Sequence, residues 1–126
     1  IQAAHDAFHA RDTDATAWSH PSQMSRRSAV LNSIAALLRQ NTERLADLEV
    51  RQIARPKKEM RFQLSRLPEW FEYYASLIHV HEDSIKPFGP GYLNITKRVP
   101  LGVIAQITPF NHPLLITIKK LAPHRM

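Results

Sequence analysis

Apolar positions in this chain follow two regimes, helical spacing up to about residue 80 and then alternation or continuous runs. Over residues 25–40, Leu31, Ile34, Ala35 and Leu38 recur at steps of three and four, which sets them on one helical face. Asn41 and Thr42, both good N-cap residues, interrupt the stripe, and Leu45, Leu48 and Ile53 resume it. Either a helical hairpin or one long broken helix is expected. The strongest periodic signal follows: Met60, Leu64, Leu67, Phe71, Tyr74 and Ile78 alternate steps of four and three. Pro56 is placed to open that helix, and Pro68, inside it, removes a backbone donor and should kink or split it. Ahead of these, Ala3, Ala4, Ala7 and Phe8 predict a short helix over residues 1–10, ended by the polar run Arg11-Asp12-Thr13-Asp14. Trp18 reads as a loop residue anchored on the domain surface.

After Asp83 the texture changes. Residues 84–88 and 92–99 alternate as strands do, and Gly89-Pro90-Gly91 between them predicts a β-hairpin. Leu93, Ile95, Lys97 and Val99 fall on one face, Tyr92, Asn94, Thr96 and Arg98 on the other. Residues 101–107 form a nearly continuous apolar run, the pattern of a strand covered on both faces. Residues 108–112 make a turn, and Pro113 opens an amphipathic helix through Leu114, Leu115, Ile118 and Leu121, with Lys119 and Lys120 on its outer side. A strand, a turn with polar tips and a helix amino terminus is where α/β folds bind anionic cofactors, although no Gly-x-Gly-x-x-Gly marks this turn.

Composition and charge narrow the classes. The 126 residues suffice for one domain with a modest core, and no apolar run nears the roughly 18 residues of a membrane span. A soluble, cytoplasmic protein with no membrane partner is the expectation. Seventeen Lys and Arg against eleven Asp and Glu give a net charge of +6, which raises nucleic acid as a partner. The basic residues from Arg26 to Arg66 are spread along helical segments and interleaved with Glu43, Asp47, Glu49 and Glu59, so they read as solvated helix faces instead. The absence of cysteine excludes disulfides, thiolate metal sites and thiol nucleophiles from this chain. His79, His81 and Glu82 invite a metal, but ligands on one helix face need spacing of three or four, so no metal site is expected. Trp70, Phe71, Tyr73 and Tyr74 at helical spacing read as packing and subunit contact rather than as a base-stacking platform. Ile1 in place of Met gives the expectation that the true amino terminus, with any targeting peptide, precedes it.

Residues 100–123 read Pro-Leu-Gly-Val-Ile-Ala-Gln-Ile-Thr-Pro-Phe-Asn-His-Pro-Leu-Leu-Ile-Thr-Ile-Lys-Lys-Leu-Ala-Pro. This stretch closely resembles the segment of the aldehyde dehydrogenase superfamily that opens its nicotinamide-binding domain. Leu45-Ala46-Asp47-Leu48-Glu49, Arg55-Pro56-Lys57-Lys58-Glu59, Trp70-Phe71-Glu72-Tyr73-Tyr74-Ala75 and the hairpin precede it in the family's order, so the resemblance covers the chain up to Pro123. It implies an α/β fold with an amino-terminal helical region over residues 1–83 and a β-hairpin of the oligomerisation region over 84–99. Residues 100–126 would then be the first strand and helix of a Rossmann-like cofactor domain. The implied activity is NAD(P)-dependent oxidation of an aldehyde to a carboxylic acid, through a cysteine nucleophile and a glutamate-activated water. On this resemblance Asn111 matches the side-chain amide donor of the oxyanion hole. Ile107, Thr108, Pro109 and Phe110 match the backbone that lines the cofactor's ribose and pyrophosphate. On its own surroundings Asn111, before His112 and Pro113, is also good helix-start chemistry, and the two roles can coexist.

The family continues beyond the Ala-Pro pair with a second strand carrying a cofactor-binding lysine, a glycine-containing nucleotide turn, the general-base glutamate and the nucleophilic cysteine. Here His124-Arg125-Met126 follow, and Ala54 stands where the family commonly has a glycine. The expectation is therefore an amino-terminal fragment, truncated in the cofactor domain, without the catalytic Cys and Glu and inactive alone. Its implied partners are an aldehyde, NAD or NADP, and further copies in a homo-oligomer when full length. The alternative is a non-catalytic interaction module that pairs its hairpin and apolar strand with a full-length relative. A basic nucleic-acid binder rests on net charge alone and ranks last.

Overall fold

The apolar stripes become helices that converge on one core. In the computed structural model, which describes residues 1–10, 13–18, 20–80 and 82–124, the helices are α1 (Gln2–His9), α2 (Met24–Gln40), α3 (Thr42–Ile53), α4 (Lys57–Ser65), α5 (Pro68–Leu77) and α6 (Pro113–His124). Arg11 and Asp12 of the first helix's polar end and His81 of the His-x-His-Glu cluster lie outside the described residues, as do Arg125 and Met126. A two-stranded antiparallel sheet, β1 (Ser84–Lys86) and β2 (Asn94–Thr96), separates α5 from α6 along the chain.

Leu31 and Ala35 of α2, Ala46 of α3, Met60 and Leu64 of α4, and Phe71 and Ala75 of α5 are buried in one cluster, joined by Leu67, Ile78 and, from α6, Ile118 and Ala122. Burial at steps of three and four is what the sequence pattern requires. Pro68 splits the long stripe rather than kinking it: it opens α5, where its missing N–H has no intrahelical acceptor to lose. Pro56 is one residue earlier than expected, an extended residue ahead of a helix that begins at Lys57.

Two details at Asn41 and Thr42 differ from the N-cap reading. Asn41 Nδ2 donates to the Leu37 carbonyl at 2.8 Å and Thr42 Oγ1 to that of Leu38 at 3.0 Å, so both side chains close the end of α2 instead of capping the start of α3. Because α2 lies on α5 while α3 lies on α4, the broken-helix alternative holds over the hairpin. In α3 the buried face is centred on Ala46 and Glu49, and Leu48 points outward.

Part of the basic character is paired locally. Lys57 pairs with Asp47 at 2.6 Å and Arg61 with Glu43 at 2.6 Å, both between α3 and α4, and Arg39 of α2 grips Glu72 of α5 through two contacts. These partners hold the Asp47 and Glu72 carboxyls below the usual carboxylate range through their hydrogen bonds. All are solvent-exposed, so they orient helices more than they stabilise them.

Ala54 ends α3 in the left-handed region, φ 54° and ψ 30°, with its N–H on the Val50 carbonyl at 2.9 Å. The helix end therefore forms without glycine, at the cost of crowding a Cβ against the backbone. Ala54→Gly is expected to stabilise the chain by about 0.5–1 kcal/mol, the relief of that crowding less glycine's extra unfolded-state entropy. A rise of roughly 2–4 °C in melting temperature would register it, and a fall would show that the cap is unstrained.

In the hairpin, Ser84 pairs with Thr96, Ile85 with Ile95 and Lys86 with Asn94. The strands are shorter than the alternation suggested. At the tip the Gly89 carbonyl accepts from the Tyr92 N–H at 3.2 Å, with Pro90 second and Gly91 third at φ +82°, the residue pattern of a type II turn.

The expected strand over residues 101–107 does not form. Leu101 is 90% exposed and Ile107 97% exposed, and the segment runs without regular structure from the hairpin to α6. A strand of this kind needs neighbours on both edges to satisfy its backbone, and the hairpin is the one sheet among the described residues. The architecture is thus mostly helical with a small antiparallel sheet.

Candidate functional site

The turn before α6 is built from both sides. Pro113 is the first helical residue and offers no N–H, and the His112 carbonyl takes the first intrahelical bond, from Ile116 at 3.0 Å. The Leu114 N–H, the first donor of the helix, goes instead to Glu49 Oε1 of α3 at 2.9 Å, across 65 residues of sequence. Glu49 is only 4% exposed, and its second oxygen, Oε2, is buried without a hydrogen-bond partner among the described residues. Two residues earlier, His112 Nδ1 lies 3.2 Å from both polar atoms of the Gln63 side-chain amide on α4, so either imidazole tautomer finds a partner there. Gln106 Nε2 donates to the Thr117 carbonyl at 3.1 Å and ties the incoming segment to the flank of α6.

Held in this way, residues 107–111 are brought together as one outward-facing turn. Ile107 is almost wholly exposed, Phe110 is 87% exposed, Pro109 and Asn111 are exposed and Thr108 is half-buried. The Asn111 amide makes no hydrogen bond to α6 among the described residues, and the capping role belongs to Glu49.

This arrangement bears on whether a nicotinamide dinucleotide fits. A helix amino terminus attracts a phosphate through free N–H groups and the positive end of its dipole. Here a buried carboxylate occupies the first donor of α6, so the helix end itself does not fit a phosphate. Residues 107–110 carry no such conflict, with Ile107, Pro109 and Phe110 exposed and Thr108 half-buried.

An open groove of about 780 Å³ runs between α4, α5 and α6. Phe62, Leu67, Trp70, Tyr73 and Leu115 give it apolar walls, and Lys119 Nζ sits 5.3 Å from the Trp70 ring centre. Gln63 both lines this groove and touches His112, while no residue of the 107–111 turn lines it. Trp70 and Tyr73 thus line a groove, while Phe71 and Tyr74 pack in or against the core. Trp18 is half-buried beside a smaller hollow, and Arg27 Nη1 fixes its loop by donating to the Trp18 and His20 carbonyls at 2.9 and 3.0 Å. His79 and Glu82 are exposed, and no group of His, Asp or Glu suited to a metal assembles among the described residues.

The sequence pattern missed Glu49 and Gln63. The signal for Glu49 was present: it falls four residues after Leu45 and four before Ile53, a charge in the middle of an apolar stripe.

Comparison with known proteins gives the class. The model of the aldehyde dehydrogenase family matches residues 1–125. A betaine aldehyde dehydrogenase from Bacillus subtilis is 36% identical over 125 residues, covering 98% of this chain and 24% of the relative. A fluoroacetaldehyde dehydrogenase from Streptantibioticus cattleyicolor is 36% identical over 124 residues, with 98% and 24% covered. A probable betaine aldehyde dehydrogenase from Schizosaccharomyces pombe is 35% identical over 101 residues, with 78% and 20% covered. No solved structure matches the chain. The chain belongs to the aldehyde dehydrogenase family, and it spans about a quarter of the length of the curated relatives it matches.

Proposed function

We propose that these residues are the amino-terminal part of an NAD(P)-dependent aldehyde dehydrogenase and contribute the side-chain amide of its oxyanion hole. The observation that carries this reading is Asn111 itself: an exposed amide in a turn pinned from behind. When a nucleophile adds to an aldehyde carbon, the carbonyl oxygen gains negative charge, and an N–H donor preset at that position stabilises it. Residues 107–110 supply a backbone wall for the cofactor, whose nicotinamide, when bound, accepts the hydride. The pyrophosphate charge lies clear of α6, because Glu49 already fills that helix end.

In this reading residues 1–83 form the helical support, 84–99 the oligomerisation hairpin and 100–126 the opening of the cofactor domain. Exposed Ile85, Ile95 and Leu101 are covered by further parts of the enzyme and its other copies. The 126 residues contain no cysteine, so the thiolate nucleophile of the family mechanism comes from outside them and the chain alone is inactive. That same apolar surface is what a module pairing with a complete relative would use, the second reading.

A chimera tests the first. With these residues in place of the matched quarter of the Bacillus subtilis relative, betaine aldehyde is expected to reduce the cofactor, while the 126-residue chain alone reduces none. A folded but inert chimera, or turnover by the chain alone, would overturn the proposal.

A further inference from the structure

An oxyanion donor works only if it is held to within a fraction of an ångström of the reacting oxygen, yet Asn111 stands on an irregular turn. We propose that Glu49 is a positioning residue for the Asn111 turn, fixing it through the first available N–H of α6, with Gln63 as a second point of attachment. This deepens the function proposed above and rests on it.

Burial is the first argument. A carboxylate 4% exposed in the face of α3 that carries Ala46 sits where an apolar side chain would serve the core better. One of its oxygens has no partner among the described residues, so Glu49 is poorly explained as a contribution to stability. Its other oxygen meets the one donor that defines where α6 begins, and the bond is strengthened by the charge and by the helix dipole. Geometry is the second. Glu49 holds Leu114 and Gln63 holds His112, so consecutive sites on either side of Pro113 are fixed from two different helices. Those helices, α3 and α4, pack together and are tied by Lys57–Asp47 and Arg61–Glu43, so the two attachments share one rigid base. Two fixed points set both the position and the direction of the chain leaving Asn111.

Amide hydrogen exchange of the chain tests the clamp without any activity assay. In Glu49→Leu, which keeps the volume and completes the apolar stripe, Leu114 exchange is expected to quicken roughly tenfold while Ala35 and Phe71 stay unchanged. Glu49→Gln keeps an acceptor without the charge and should give a smaller, equally local rise. Leu114 exchange equal to that of the unsubstituted chain in both variants, or rising only together with the core amides, would overturn the proposal. In the chimera, Glu49→Leu should lower kcat by about ten- to a hundredfold and add nothing once Asn111 is already Ala. Full additivity of the two losses would show that Glu49 does not act through Asn111. The two readings fail separately: a locally freed Leu114 with an Asn111→Ala chimera of normal kcat removes the oxyanion role and leaves the clamp. An inactive Asn111→Ala chimera with Leu114 indifferent to Glu49 does the reverse.

Discussion

Phe71→Ala is expected to destabilise the chain by about 3–5 kcal/mol, enough to unfold much of a domain whose whole stability is of order 5–15 kcal/mol. Phe71 is 1% exposed and sits on α5 where that helix packs on α2, the most extensive helix contact of the structure. Removing the ring leaves a cavity that the helices close only in part, because Phe71 packs in one cluster with Leu31, Met60 and Leu67, and Pro68 fixes where α5 begins. Two residues on, Tyr73 is 58% exposed, and Tyr73→Ala should change stability by no more than about 0.5 kcal/mol. Urea unfolding of the two variants therefore separates a core aromatic from a groove aromatic. Similar midpoints would mean that α5 does not lie with the face described here toward α2.

The place of Phe71 in the core was legible in the sequence, whereas the exposure of Tyr73, grouped there with Phe71 as packing and subunit contact, was not. Spacing alone sets Met60, Leu64, Leu67, Phe71, Tyr74 and Ile78 on one face, and five of the six are buried with Tyr74 half-buried against the same core, because helical periodicity is a local property that the chain writes within a few turns. The same holds for the split at Pro68 and for the hairpin turn at Gly91, where single residues restrict the backbone. Features that depend on distant partners were not legible. Residues 101–107 have the composition of a buried strand, but a strand exists only with neighbours that local pattern cannot supply, and this chain leaves them exposed. Leu48 was placed on the core face of α3 because it is apolar, and Glu49, which takes that place, was passed over because it is charged. Its reason for being there is an N–H 65 residues away. As for the candidate site, the sequence places a turn at residues 108–112 ahead of α6, and the chain does turn there, whereas Glu49 and Gln63, which hold it, are not legible.

Asn111→Ala in the chimera is expected to lower kcat by about a hundred- to a thousandfold, the usual effect of removing one oxyanion donor, with little change in KM for the aldehyde. The competing explanation of this residue is structural, since an asparagine ahead of a helix commonly caps it, and losing a cap costs about 0.5–2 kcal/mol. The structure argues against the cap. The first donor of α6 is satisfied by Glu49, the residue next to Pro113 is held by Gln63, and the Asn111 side chain points outward without a bond to the helix among the described residues. Asn111→Ala should therefore leave the melting temperature of the 126-residue chain nearly unchanged while the chimera loses its chemistry. Asn111→Asp sharpens the test, because it preserves shape but puts a negative charge where the oxyanion develops, and it should be at least as inactive as alanine. A variant that loses stability and activity in parallel would return Asn111 to the role of a helix-start residue. Activity lost at constant stability, and not recovered by the isosteric acid, is the signature of a donor that acts on the reacting oxygen.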